Sequence, residues 1–324
     1  MNSRERFLEV MRYGRPDRVP YFEEGIRKEV LKAWRKQGLP RGAELSQMFP
    51  TDRHEEMEVD VDPHPTIDRW PATLAELDVL RGSLNPYENR RLPEGFSDHV
   101  RAGEARDYAL MLRVHRGFFL SMGVYGWQRF SAVVQLLMDD PELVRESMAI
   151  RGEFAARLTE RVLQKVSVDA VIFSEPIGGN DRPLISPRMY EEFVLKSYEP
   201  LLATIRQHGV ETIILRTYAN ARVLIPSMLK WGFNCLWACE VNAEAMDYRD
   251  IRREFGRDLR LIGGLDLDAL RHGKEAIRRE IEEKVPPLLS EGGYIPLADG
   301  RIRDDVTFEN YTYYRRLLGM VTQM

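Results

Sequence analysis

The chain reads as an α/β protein, a single (β/α)8 barrel with an irregular N-terminal insertion or cover. Three observations predict this. Short apolar runs alternate with amphipathic helical segments, the pattern of βα units feeding a parallel sheet. Five of these runs end on polar or ionisable residues: Asp169-Ala-Val-Ile-Phe-Ser-Glu175, Thr212-Ile-Ile-Leu followed by Arg216-Thr-Tyr-Ala-Asn220, Asn234-Cys-Leu-Trp-Ala-Cys-Glu240, Leu259-Arg-Leu-Ile-Gly-Gly-Leu-Asp266 and Gly293-Tyr-Ile-Pro-Leu-Ala-Asp299. Finally, 324 residues suffice for one barrel with insertions, so residues 1–324 are taken as one domain.

Taken in order, residues 3–13 form a helix in which Phe7, Leu8 and Met11 share a face, Asn2 or Ser3 caps the start and Gly14 ends it. Arg15-Pro-Asp-Arg-Val-Pro20 leads into a first strand near 19–23, and a helix follows over 26–36 with Val30, Leu31 and Trp34. Residues 40–107 show the least periodicity. Prolines at 50, 63, 65, 71, 86 and 93 interrupt any long element, so this stretch is expected to be an insertion or lid over the barrel mouth. Residues 108–114 form a strand, and the glycine-punctuated aromatic segment 117–126 lines a pocket or packs in the core. Asp139-Asp-Pro-Glu-Leu-Val starts a helix running to about 165, with an aspartate cap and Pro141 at the first helical position. Ser186-Pro187 repeats that start, with a kink expected at Pro200 and a stop at Gly209. Further helices are expected at 221–231, 247–255, 267–272, 274–290 and 307–322.

The charge balance is nearly even, 47 basic against 51 acidic residues for a net −4, which gives no reason to expect nucleic-acid or membrane-surface binding. No run approaches a membrane span, and the N-terminal dozen residues alternate charge with apolar side chains, so a cytoplasmic location is expected. The two cysteines, Cys235 and Cys239, would sit ~13 Å apart along a strand, too far for a disulfide.

Several stretches in order along the chain carry a family resemblance: Arg4-Glu-Arg-Phe-Leu with Pro16-Asp-Arg-Val-Pro20; Asp139-Asp-Pro-Glu-Leu-Val144; Pro183-Leu-Ile-Ser-Pro187 with Met189-Tyr-Glu-Glu-Phe193; Gly263-Gly-Leu-Asp266; and Gly292-Gly-Tyr-Ile295 with Asp305-Val-Thr-Phe-Glu-Asn-Tyr311. With these the chain resembles the uroporphyrinogen decarboxylase superfamily, which also contains corrinoid-dependent methyltransferases acting on thiols. The resemblance implies a (β/α)8 barrel with a deep polar mouth and a homodimer. Methyltransferase-type members carry a His-x-Cys-Gly-Asn motif that supplies zinc ligands. Here the matching positions are Arg216, Thr217, Tyr218, Ala219 and Asn220, and a further cysteine ligand is replaced by the stretch Ala298-Asp-Gly-Arg301. An arginine cannot ligate a metal, so no metal site and no tightly bound cofactor are expected. The arginine-rich N-terminal segment of the decarboxylases is matched by Val19-Pro-Tyr-Phe-Glu-Glu-Gly-Ile-Arg27, which offers acids instead.

If the strand ends converge, the mouth gathers Glu175, Arg216, Tyr218, Asn220, Glu240, Asp266, Asp299 and Arg301. Arg216 would grip an anion in a bidentate fork, with Asn220, Asp266, Asp299 and Arg301 as further binding residues. Glu175, Tyr218 and Glu240 are the candidate acid–base groups. The bland alternatives are an Arg216 ion pair with Glu175 or Glu240 that merely fills the mouth, and an Asp266 that merely caps a helix. The reading is a methyltransferase-like enzyme acting on a small anionic substrate, with any corrinoid supplied by a partner protein, both implied by the resemblance. The alternatives are a cofactor-independent decarboxylase of a tetrapyrrole or other polycarboxylate, and a non-catalytic ligand-binding barrel.

Overall fold

A computed structural model describes residues 1–241 and 244–323. Seven strands form one sheet: β1 (His54–Glu58), β2 (Ala109–His115), β3 (Ala170–Glu175), β4 (Ile213–Tyr218), β5 (Cys235–Cys239), β6 (Arg260–Leu265) and β7 (Tyr294–Ala298). They lie side by side in chain order, and every neighbouring pair is parallel. Helices cross over between them, as parallel pairing requires.

The sheet curls around its own core. Alternate residues of β2 to β7, among them Met111, Ile172, Ile214, Trp237, Ile262 and Leu297, pack together on the inner face. The first helix, Ser3–Met11, closes the N-terminal end by placing Phe7, Val10 and Met11 against that cluster. Its start is fixed by a capping box between Asn2 and Glu5, and Arg4 pairs with Asp169 at 2.9 Å just ahead of β3. The opposite residues of each strand face a second, larger core shared with the outer helices. One of these is Pro141–Leu163, with Asp140 accepting from the Leu143 amide at its N-terminus. The segment expected to kink at Pro200 breaks earlier, into a π turn over Tyr190–Val194 and a short 3-10 piece before the helix Glu199–Gln207. No helix is long and apolar enough to cross a membrane, among the described residues.

Two expectations need correction. Eight strands were expected, and the sheet has seven, with no strand over 19–23. That segment is extended, but its backbone makes no ladder: the Asp52 amide donates to the Tyr21 carbonyl at 2.9 Å, and an isolated bridge joins Ile26 to Ile302 beyond β7. Pro20 has no N–H to donate, and Gly25 sits at φ +99°, so a continuous ladder cannot run through it. The second correction concerns the cover region. It contains β1, a strand reading His-Glu-Glu-Met-Glu that hydrophobic alternation could not reveal. Its register with β2 turns Met57 to the outer core and leaves His54, Glu56 and Glu58 on the other face.

Candidate active site

The C-terminal half of the inner face is polar, and strand register decides which side chains reach it. Ser174, Arg216 and Trp237 are Cα partners across β3, β4 and β5, while Tyr218 pairs with Cys239 one step further on. Arg216 is 6% exposed, so its charge must be answered inside the protein. Its Nη1 and Nη2 donate to the two carboxylate oxygens of Glu56 at 3.0 and 2.5 Å, and its guanidinium lies 3.8 Å above the Trp237 ring. Arg113 donates to the same Glu56 at 2.6 Å and to Glu58 at 3.0 Å. Burial alone would raise the Glu56 pKa. The Arg216 hydrogen bonds and charge, then those of Arg113, outweigh it and bring it down to about 2. The Nε atoms of Arg216 and Arg113 are buried without a protein acceptor, which leaves each arginine one unused donor.

Around this pair stand Tyr218, Cys239, His54 and Glu24. Burial, with the neighbouring Cys239, pushes the Tyr218 phenol above its ordinary range, so it enters as a neutral donor. Burial and Glu24 push the Cys239 thiol far up, and it donates to Glu24 Oε1 at 3.5 Å. His54 is held neutral by burial against Phe22, its ring centroid 4.3 Å away. A cleft of about 470 Å³ opens beside Glu56 and runs past Glu58, Asp60, Asp62 and Arg116. Another cavity, of about 290 Å³, lies at the opposite end of the strands near Arg4, Arg12 and Arg260, away from the strand ends where chemistry collects in this architecture.

The residues expected in the mouth are only partly brought together. Arg216 and Tyr218 are there. Glu175 is not: it is the Cα partner of Thr217, not of Arg216, and therefore points outward. It lies fully buried, accepting from the Tyr198 hydroxyl at 2.6 Å and the Phe118 amide at 2.8 Å, and burial raises its pKa to about 7. Glu240 is exposed on the loop after β5, at φ +46°, with Arg27 and Arg303 each 3.8 Å from its Oε1. The Arg216 ion pair is therefore made with Glu56, not with either expected glutamate. Asp299 is buried and spends its two oxygens on the Leu267 and Val241 amides at 3.0 and 2.8 Å, while burial raises its pKa to about 6. Asp266 caps the short turn Leu267–Arg271 through the Asp268 amide. Asn220 ties the Arg222 amide to the Asp181 carbonyl, and Arg301 is exposed beyond β7. These four build or edge the loops around the mouth.

Sequence reasoning missed Glu56, Arg113, Trp237 and Glu24. Arg113 and Trp237 lie on runs already read as strands and Glu24 in a segment already noted for its acids, but nothing in His-Glu-Glu-Met-Glu marks Glu56 as a strand residue.

With this geometry in view, the family comparison is decisive. The model of the family described as uroporphyrinogen decarboxylase (URO-D) matches residues 120–297, more than half of the chain. The chain belongs to the URO-D family. No curated protein matches it. Among solved structures, a uronate isomerase from Bacillus halodurans C-125 is similar at 10% identity and a TM-score of 0.35. The match covers 78% of this chain, which spans only 60% of the length of that one. A likeness this remote carries no functional argument.

For a URO-D protein, the zinc question turns on the donor set. The ligand positions of the methyltransferase branch hold Arg216, paired and stacked, and Tyr218. Among the described residues no group of three His, Cys, Asp or Glu side chains is placed to hold a metal ion. A guanidinium at that spot repels a cation, so these residues do not fit a zinc centre. What they can do is hold an anionic or carbonyl oxygen on the unused arginine donors and pass a proton from Tyr218.

Proposed function

We propose that this URO-D family chain is a cofactor-independent decarboxylase of a small carboxylate that carries its own electron sink. The observation behind this reading is the Arg216–Glu56–Arg113 arrangement, in which two inner-face arginines share one carboxylate and each keeps a buried, unused Nε–H. The family, described as uroporphyrinogen decarboxylase, supplies the reaction class. The bond between the substrate's α-carbon and its carboxylate breaks, and the electron pair moves onto the adjoining carbonyl oxygen. Arg216 stabilises the charge developing there, in a site where Glu56 and Trp237 already hold the guanidinium in place. Carbon dioxide leaves, Tyr218 returns a proton to the carbon, and water restores the phenol.

The competing reading is methyl transfer to or from a small anion with a partner-held corrinoid. It needs an activated thiol or an equivalent acceptor. The positions where that branch would hold a metal to activate a substrate thiol carry Arg216, paired with Glu56, and Tyr218 instead. The test is carbon dioxide release from a panel of small β-keto carboxylates, whose carbonyl can take up the electron pair. Arg216→Ala is expected to lower kcat/KM by about a hundredfold or more, the usual loss when a buried charged anchor is removed. Turnover unchanged in Arg216→Ala, or appearing only with a methylated corrinoid, would refute the decarboxylase reading.

A further inference from the structure

We infer that Glu24 selects the substrate, and that the mouth takes an amino-carboxylate, a small molecule with a protonated amine as well as its carboxylate. This rests on the reading above, in which Arg216 and Arg113 hold oxygens of the substrate on their unused donors, and narrows the substrate.

The inference comes from which charges in the mouth are already answered. Glu56 is occupied by Arg216 and Arg113, and Glu58 by Arg113. Asp299 is occupied by two backbone amides, and His54 is neutral. Glu24 is different. Its contact is the Cys239 thiol at 3.5 Å, a weak donor, and it forms no ion pair with any described residue. Its neighbour Glu23 shows what an ordinary structural glutamate does here: it turns to the other side and pairs with Arg315 at 2.7 Å. Adjacent residues of an extended segment face opposite ways, so Glu24 shares the inner side with Phe22, which packs in the inner-face cluster. From there its charge acts on Arg216, Tyr218 and His54.

Glu24 is partly exposed, so water can satisfy it in the free protein and a ligand group can displace that water. Among the described residues the mouth thus leaves Glu24 without an ion pair and the Nε–H donors of Arg216 and Arg113 without acceptors. A plain carboxylate answers only the second set. A molecule with an ammonium facing Glu24 and a carboxylate facing the arginines answers both.

The experiment is titration calorimetry with chain-matched pairs, propionate against β-alanine and butyrate against γ-aminobutyrate. In the wild-type protein one amino-carboxylate is expected to bind at least about tenfold tighter than its plain partner, the effect of one partly desolvated charge pair. Glu24→Gln is expected to erase that preference while the plain acid binds as well as before or tighter, because the arginines keep their charge and a repelling carboxylate is gone. Glu24→Asp keeps the charge on a shorter arm and is expected to move the preference toward the longer ligand, which a merely structural role would not do. Equal affinity for both members of each pair in the wild type, or a preference that survives Glu24→Gln, overturns the inference and leaves the carboxylate reading standing. If neither class binds, both fall.

Discussion

Glu56 and Glu175 are both glutamates on parallel strands of one sheet, yet the protein treats them in opposite ways. Glu56 faces inward, meets two arginines and stays ionised down to a pKa of about 2. Glu175 faces outward into the layer between sheet and helices, meets a tyrosine hydroxyl and a backbone amide, and is raised to about 7. Both are largely removed from water. A buried carboxylate's behaviour is therefore set by whether a cation is within reach, not by burial itself. The inner face can supply cations because it opens to solvent at the mouth. Around Glu175 the outer layer packs Phe173, Tyr190 and Tyr198, so its side-chain partner is a hydroxyl and not a cation.

Four measurements would break or sharpen this contrast, from the largest expected effect to the smallest. Glu56→Ala removes the shared anion and leaves Arg216 and Arg113 without their common partner. A loss of about 4 kcal/mol in urea unfolding is expected, and a loss below about 1 kcal/mol would mean the arginines find other acceptors. Glu175→Ala strands the Tyr198 hydroxyl and the Phe118 amide and opens a cavity. It is expected to cost about 3 kcal/mol, with little change in carboxylate binding because Glu175 is outside the mouth.

The third measurement is the pH dependence of stability. The folded-state pKa of Glu175, about 7, lies above its ordinary 4.5, so its contribution is fully present below pH 4.5 and is lost as pH rises through 7. Glu56 has the opposite sign: its contribution is present above 4.5 and is lost as pH falls through about 2. In Glu175→Gln the decline between pH 4.5 and 7 should shrink by on the order of 2 kcal/mol. The slope that remains comes from Glu23, raised to about 7, and Asp299, raised to about 6. An unchanged slope would show that Glu175 is not the group titrating. Last, Glu240→Gln, on an exposed loop glutamate with two distant arginines, should stay within about 0.5 kcal/mol of the wild type.

The difference between these two glutamates also shows how far the sequence could be read. The runs ending at Glu175, Asn220, Glu240, Asp266 and Asp299 were legible as βα units because β-branched and other apolar residues cluster in them between capped helices. Arg216 and Tyr218 were legible as mouth residues because they follow such a run with the spacing of one strand face. The same rule, applied to Glu175, would have sent it to the other face, but only the register between β3 and β4 says which face is which. β1 was hidden because its inner face is charged, and periodicity arguments look for apolar faces.

By itself, then, the sequence determined the parallel α/β architecture, a first helix starting at Asn2 or Ser3, the helix starts at Asp140 and Ser186, and the place of Arg216 at the polar end of an apolar run, since these depend on neighbours within a few residues. The tertiary structure alone decided that the partner of Arg216 is Glu56, 160 residues away. It also decided that Glu24 faces the same chamber from a segment that forms no strand, and that seven strands carry the curl. Contacts across such distances in the chain are chosen by how the whole sheet closes on its core, and no local pattern encodes them.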